Sequence, residues 1–208
     1  MTIEHPALLL TDLVLAVVAS VLGWRLHGAR PENQAARWWS RALGAVALAA
    51  VVGGFFHALA GNFAPQVQRS WWALTLLLTC SVGLAMDFSL LHIAFPAGIR
   101  APWRAAVFVK FIAFASFAIV EAQFWAAIIS ALPSLLAWAV AALLRPYPWR
   151  GWMLAGIGLS ILAAIVQVLH LSPYIDYNDL YHIIQAVALY GLFRAGLLFG
   201  NERSQAAS

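Results

Sequence analysis

The side chains best suited to chemistry in this sequence are two histidines inside long apolar segments, His57 and His182. A catalytic zinc takes three protein ligands, mostly histidine and carboxylate, and leaves a fourth position for water. The metal lowers the pKa of that water to about 7, and a neighbouring carboxylate can then act as general base. We therefore predict that His57 and His182 hold zinc.

Polar residues near these two histidines supply candidates for the rest of the site. Asn178 precedes His182 by four residues, so both lie on one helical face, and His170 ends the preceding apolar segment. We predict Asn178 and His170 as further metal ligands. Asp179 and Glu121 are the predicted catalytic carboxylates, and either one completes the metal site or acts as the base.

The composition determines where such a site can exist. The chain has 208 residues, of which 63% are hydrophobic and 10% charged, and its mean hydropathy is +0.84. Soluble domains carry about 45–50% apolar and about 25% charged residues, so this composition indicates an integral membrane protein. It excludes a soluble enzyme, a nucleic-acid-binding protein and a disordered linker. The one cysteine, Cys80, permits no internal disulfide.

Seven apolar segments predict a single all-α transmembrane domain over residues 1–208. A bilayer core of about 30 Å requires about 20 helical residues. The predicted spans are 7–24, 42–60, 71–95, 105–120, 124–144, 152–171 and 180–199. A count of six is the alternative, but one helix over 104–144 would be about 60 Å long. Lys110 lies in the short fourth span, and we expect its stem to extend toward the nearer interface.

The distribution of charge predicts the orientation of the bundle. Seven spans place eleven of the twelve basic residues on one side: Arg25, Arg30, Arg37, Arg41, Arg100, Arg104, Arg145, Arg150 and Arg203, with Arg194 and Lys110 close by. Only Arg69 lies on the other side. Because cytoplasmic loops carry the excess of Lys and Arg, the N-terminus is predicted outside and the C-terminus in the cytoplasm.

Tryptophans near the span ends predict an interfacial aromatic belt. They are Trp24, Trp38, Trp39, Trp71, Trp72, Trp103, Trp125, Trp149 and Trp152.

The predicted topology also brings six titratable groups to similar depth near the outer face. They are Asp12, His57, Glu121, His170, Asp179 and His182. Ionisable groups inside spans cost about 2.5–3.5 kcal/mol each on insertion scales and therefore mark functional candidates. We predict an outward-facing polar pocket, in which Asp12 pairs with a neighbouring helix.

Two short motifs carry a family resemblance. Gly53-Gly54-Phe55-Phe56-His57 and Asn178-Asp179-Leu180-Tyr181-His182 look like the alkaline ceramidase-like (CREST) superfamily of membrane hydrolases, and are similar to its uncharacterised bacterial members. The resemblance implies seven spans, an outer N-terminus, zinc held by histidines and location in a bacterial inner membrane. His57 matches the second-span ligand of that family and His182 the last ligand. Gly53 stands where the family has serine, and Asn178 where it has histidine.

These features leave several functions open. The first is a zinc-dependent hydrolase of lipid amides or esters, whose partners are membrane lipids. The second is a non-catalytic member, either receptor-like or an accessory subunit that packs against other membrane subunits through small residues such as Gly53 and Gly54. The third is a haem protein, because two axial imidazoles suffice to ligate haem. A transporter also remains open. No nucleic-acid partner is expected.

Overall fold

Seven long α-helices make up the part of the chain that the structure describes. The computed structural model describes residues 2–144, 146–171 and 174–200. The helices are α1 (Pro6–Ala29), α2 (Gln34–Leu59), α3 (Pro65–Ala94), α4 (Arg100–Glu121), α5 (Phe124–Leu144), α6 (Arg150–Leu169) and α7 (Tyr177–Leu197). Short 3-10 turns at Ala60–Asn62 and Ala97–Ile99 precede α3 and α4. The described residues contain no β-strand, and the predicted all-α class is confirmed.

All seven helices are long and apolar enough to cross a membrane. The count of seven is confirmed over the count of six because Ala122, with a left-handed φ of 53°, ends α4 before α5 begins at Phe124. Arg145 and Arg203, which the charge argument assigns to the cytoplasmic side, lie outside the described residues.

Six of the seven helices begin before their predicted apolar segments, and the difference is largest for α2 and α3. The first two turns of α2 are polar, but Asn33 caps them by accepting a hydrogen bond from the Ala36 amide at 3.0 Å. Pro65 is the first residue of α3, a position where proline loses no helical hydrogen bond. Hydropathy left these turns out of the predicted spans, because hydropathy measures how readily a segment inserts into lipid and not whether it forms a helix.

The helices form a bundle with α4 at its edge. α1 packs against α2 and α7, α6 against α7, and α3 against α2, α4 and α5. The Glu4 amide donates to the Ala58 carbonyl at 3.1 Å, which fixes the N-terminus beside the end of α2. We call this end, where α1, α3, α5 and α7 begin, the N-terminal end of the bundle. In α4 only Ala115 and Ala118 are buried.

The opposite end of the bundle has an aromatic core. Trp39, Trp138, Trp149 and Phe199 are each at most 1% exposed, and five of the six ring pairs among them have centroids 4.8–5.8 Å apart. The belt prediction is therefore wrong for Trp39 and Trp149, which pack inside the bundle. The Trp39 indole donates to the Leu192 carbonyl at 3.0 Å, so its polar atom is satisfied without water.

A charged contact joins the peripheral helix to the bundle. Lys110 of α4 pairs with Asp87 of α3 and donates to the Ser134 hydroxyl of α5 at 2.6 Å. The two charged side chains are 24% and 10% exposed. The expectation that Lys110 extends toward the interface is wrong, because a carboxylate on the adjacent helix offers its ammonium a nearer partner than the interface does.

Candidate functional site

A cavity of about 190 Å³ lies between α1, α2, α3, α5, α6 and α7. Its ionisable side chains, Asp12, His57, Tyr181 and His182, lie toward the N-terminal end of the bundle. The walls are otherwise mainly apolar and reach the deeper residues Met86 and Leu192. The cavity thus has a polar end and an apolar body.

A buried contact between α1 and α7 forms the centre of the polar end. His182 Nε2 lies 3.2 Å from Asp12 Oδ1. Asp12 is 4% exposed and His182 9% exposed. This contact confirms the expected interhelical partner of Asp12, and the sequence could not specify that the partner would be His182.

Thr11 holds the other side of the imidazole. Its hydroxyl donates to Asp179 Oδ1 at 2.7 Å and lies 3.3 Å from His182 Nδ1. A hydroxyl has one hydrogen, so with that hydrogen on Asp179 the Thr11 oxygen accepts from Nδ1–H. The contact between His182 Nε2 and Asp12 Oδ1 then needs one proton between the two atoms. Either Asp12 carries this proton and both groups are neutral, or His182 carries it as an imidazolium beside the Asp12 carboxylate. Both forms of the Asp12–His182 pair have zero net charge, which suits an apolar interior.

The paired glycines of α2 allow this geometry. A methyl group on Gly54 would lie 2.7 Å from Asp12 Cβ, and one on Gly53 would lie 3.2 Å from Thr75 Cγ2. A side chain at Gly54 would therefore displace Asp12. The glycine motif thus brings α2 close to α1 on one side and to α3 on the other.

The remaining predicted ligands have different surroundings. His57 lines the cavity, and its ring centroid is 5.7 Å from that of Trp72. Asn178 also lines the cavity, and its side chain accepts from Gln167 Nε2 at 2.7 Å and donates to Asp176 Oδ1 at 2.8 Å. His57, His182 and Asn178 are therefore brought to one cavity.

Three other predicted site residues do not line the cavity. Asp179 contacts the site through Thr11. Glu121 is exposed at the end of α4. His170 is also exposed, and its ring centroid lies 4.1 Å from that of Tyr177.

The zinc prediction can be compared with the arrangement of the described side chains. Within residues 2–144, 146–171 and 174–200, no three His, Cys, Asp or Glu side chains are arranged to hold a metal ion. Both ring nitrogens of His182 already have partners, as does the Asn178 oxygen. The chemistry that this arrangement supports directly is hydrogen bonding and proton sharing at one end of an apolar cavity.

Several cavity residues were missed because they carry no charge. Gln167, Gln185 and Ser160 line the cavity, and Gln185 Nε2 donates to Ser160 Oγ at 3.3 Å. Asn178, His182, Gln185 and Leu189 all line it and are spaced as one helical face. This stripe of mainly polar residues at the start of the seventh span could have indicated from the sequence which face of α7 lines the cavity.

A family model, described as a family of unknown function (DUF6962), matches residues 7–200. The chain belongs to this family. No curated protein and no solved structure matches the chain. The matched range includes every residue of the cavity.

Gly54→Ala should lower the free energy of unfolding by about 1–3 kcal/mol, because the added methyl overlaps Asp12. Gly44→Ala on the same helix is the matched control, since a methyl there meets nothing within 4 Å. We expect Gly44→Ala to stay within about 1 kcal/mol of the parent or to stabilise it. Unfolding in detergent, followed by circular dichroism, measures both changes. Equal effects of the two variants would contradict the close approach at Gly54.

Proposed function

We propose that the chain is a receptor-like membrane protein that binds an amphipathic small molecule in its cavity. The observation that carries this proposal is the division of the cavity into a polar end at the Asp12–His182 pair and an apolar body. Ligand pockets commonly combine apolar walls with a few polar groups that orient the ligand. The polar part of the ligand lies at Asp12 and His182, and its hydrocarbon part extends toward Met86 and Leu192.

In this proposal the chain spans the membrane seven times, with its N-terminus outside and its C-terminus in the cytoplasm. Its support is the basic side chains at the end of the bundle opposite the cavity's polar groups. The polar end of the cavity then opens outward, and the partners are membrane lipids and other membrane subunits. The proposed location, a bacterial inner membrane, rests on the family resemblance alone.

The orientation can be tested with reporter fusions in bacterial cells. Alkaline phosphatase, which is active only outside the cytoplasm, should be active when fused before residue 2 and inactive when fused after residue 208. A fluorescent protein that folds only in the cytoplasm should give the reverse pattern. Phosphatase activity at the C-terminus would contradict the proposed orientation.

Ligand binding can be tested by photo-crosslinking in nanodiscs with single-chain lipids that carry a diazirine on the chain and a glycerol, phosphate or trimethylammonium head. We expect at least one probe to label deep cavity residues such as Met86. Ala131→Phe should abolish this labelling because it fills the cavity wall. Ala106→Phe, on the exposed surface of α4, is the matched control and should retain it. Labelling confined to the outer helix surfaces would contradict the proposal.

The second candidate is the metal-dependent hydrolase of lipid amides or esters. It is favoured by the position of His57 and His182 on one cavity and by the resemblance to the alkaline ceramidase-like superfamily. The described residues provide no group of three His, Cys, Asp or Glu side chains that could hold the metal.

Metal analysis of the purified protein tests this candidate. A zinc hydrolase should contain about one tightly bound zinc per chain and lose it in His57→Ala, while His170→Ala, at an exposed position, should retain it. Metal content that is negligible, or unchanged in His57→Ala, would reject the hydrolase without affecting the ligand-binding proposal.

A further inference from the structure

A second concave surface lies on the outside of the bundle, along α2 between α1 and α3. Its volume is about 520 Å³, and its walls include Ser20 of α1, Gly44 and Leu48 of α2, and Leu78 of α3. Leu48 is 57% exposed. A methyl group added to Gly44 would meet nothing within 4 Å, so the space beside this glycine is open. We call this surface the α2 groove.

The α2 groove carries a positive charge at one end. Arg41 is the one charged side chain among the described residues that line it, and it is exposed. The Arg41 guanidinium carbon lies 4.3 Å from the centroid of the Trp38 ring, and Trp38 stacks on Phe88 of α3. Neither ion pair between described side chains involves Arg41. The aromatic ring therefore holds a cation whose N–H donors are available to an anion from outside the chain.

The length and direction of the groove match one leaflet of a membrane. Arg41 and Val51 are ten residues apart on α2, which corresponds to about 15 Å along the helix. A bilayer core is about 30 Å thick, so the chains of one leaflet extend over about 15 Å. Because α2 begins at Gln34, Arg41 lies near one end of the span and Val51 lies nearer its middle. The charged end is thus placed for a lipid head and the apolar part for a lipid chain.

We infer that the α2 groove binds an anionic phospholipid from the leaflet on the Arg41 side, which is the cytoplasmic leaflet in the proposed topology. The phosphate pairs with the Arg41 guanidinium, and one acyl chain lies along Gly44, Leu48 and Val51. A zwitterionic lipid offers the same phosphate, but its ammonium group repels Arg41. This inference rests on the proposed membrane span and not on the inner cavity.

Photo-crosslinking of the full chain in phosphatidylcholine nanodiscs tests this site. The two probes are a phosphatidylglycerol and a phosphatidylcholine that carry the same diazirine on one acyl chain. The readout is the labelling of Leu48 divided by that of Leu136, an exposed residue of α5. We expect this ratio to be about fivefold higher for phosphatidylglycerol, which is the effect of about 1 kcal/mol from one basic residue. Equal ratios for the two probes would overturn the inference.

Two pairs of variants test the groove itself. Arg41→Gln should make the ratios of the two probes equal, and Arg150→Gln, at an exposed position on the same side of the bundle, should preserve the difference. Gly44→Phe fills the groove and should also remove the difference. Gly158→Phe on α6, where an added methyl likewise meets nothing within 4 Å, is its matched control and should preserve it. Because Arg41 is exposed, Arg41→Gln should fold even if Gly44→Phe does not.

Other occupants of the groove would give different results. A second copy of the chain, or a helix of another subunit, would protect Leu48 from both probes, and this outcome would overturn the inference. A difference between the probes that Arg41→Gln leaves unchanged would also overturn it. Ala131→Phe, which fills the inner cavity, should leave the labelling of Leu48 unchanged, so the groove and the proposed ligand-binding function are tested separately.

Discussion

The polar end of this bundle depends on a single contact, the Asp12–His182 pair. Each of these groups alone would be costly in an apolar interior, and a hydrogen-bonded pair with one shared proton removes the net charge. Its neighbours satisfy what the pair requires. The Thr11 hydroxyl lies at hydrogen-bond distance from His182 Nδ1 and donates to Asp179. Gly54 has no side chain and so leaves space for the side chain of Asp12.

A second polar contact, Lys110 with Asp87 and Ser134, has a different role. It joins the weakly buried helix α4 to α3 and α5, where few apolar side chains are shared. Breaking one partner of such a pair leaves a charge without compensation, whereas replacing both by apolar residues is often tolerated. The two contacts therefore differ in position: one lies at the polar end of the cavity, and the other holds a peripheral helix.

The sequence predicts how deep a residue lies along its helix better than it predicts which way the side chain faces. Hydropathy and charge predicted seven helices and the depth of each ionisable group along its span, which is why Asp12, His57 and His182 were expected near one another. Glu121 and His170 were expected at that depth too, yet both are exposed. Which way a side chain faces depends on the rotation of its helix and on its neighbours, and neither is encoded in mean hydropathy.

The aromatic core has a consequence for how a bound molecule can move. Trp39 and Trp138 donate to the carbonyls of Leu192 and Met86, and these two residues form the deep wall of the cavity. The two indole rings therefore lie behind that wall, and each indole N–H is satisfied by a protein carbonyl. In the proposed ligand-binding function, these rings separate a bound molecule from the opposite end of the bundle. The molecule would then enter and leave at the polar end without crossing to the other side.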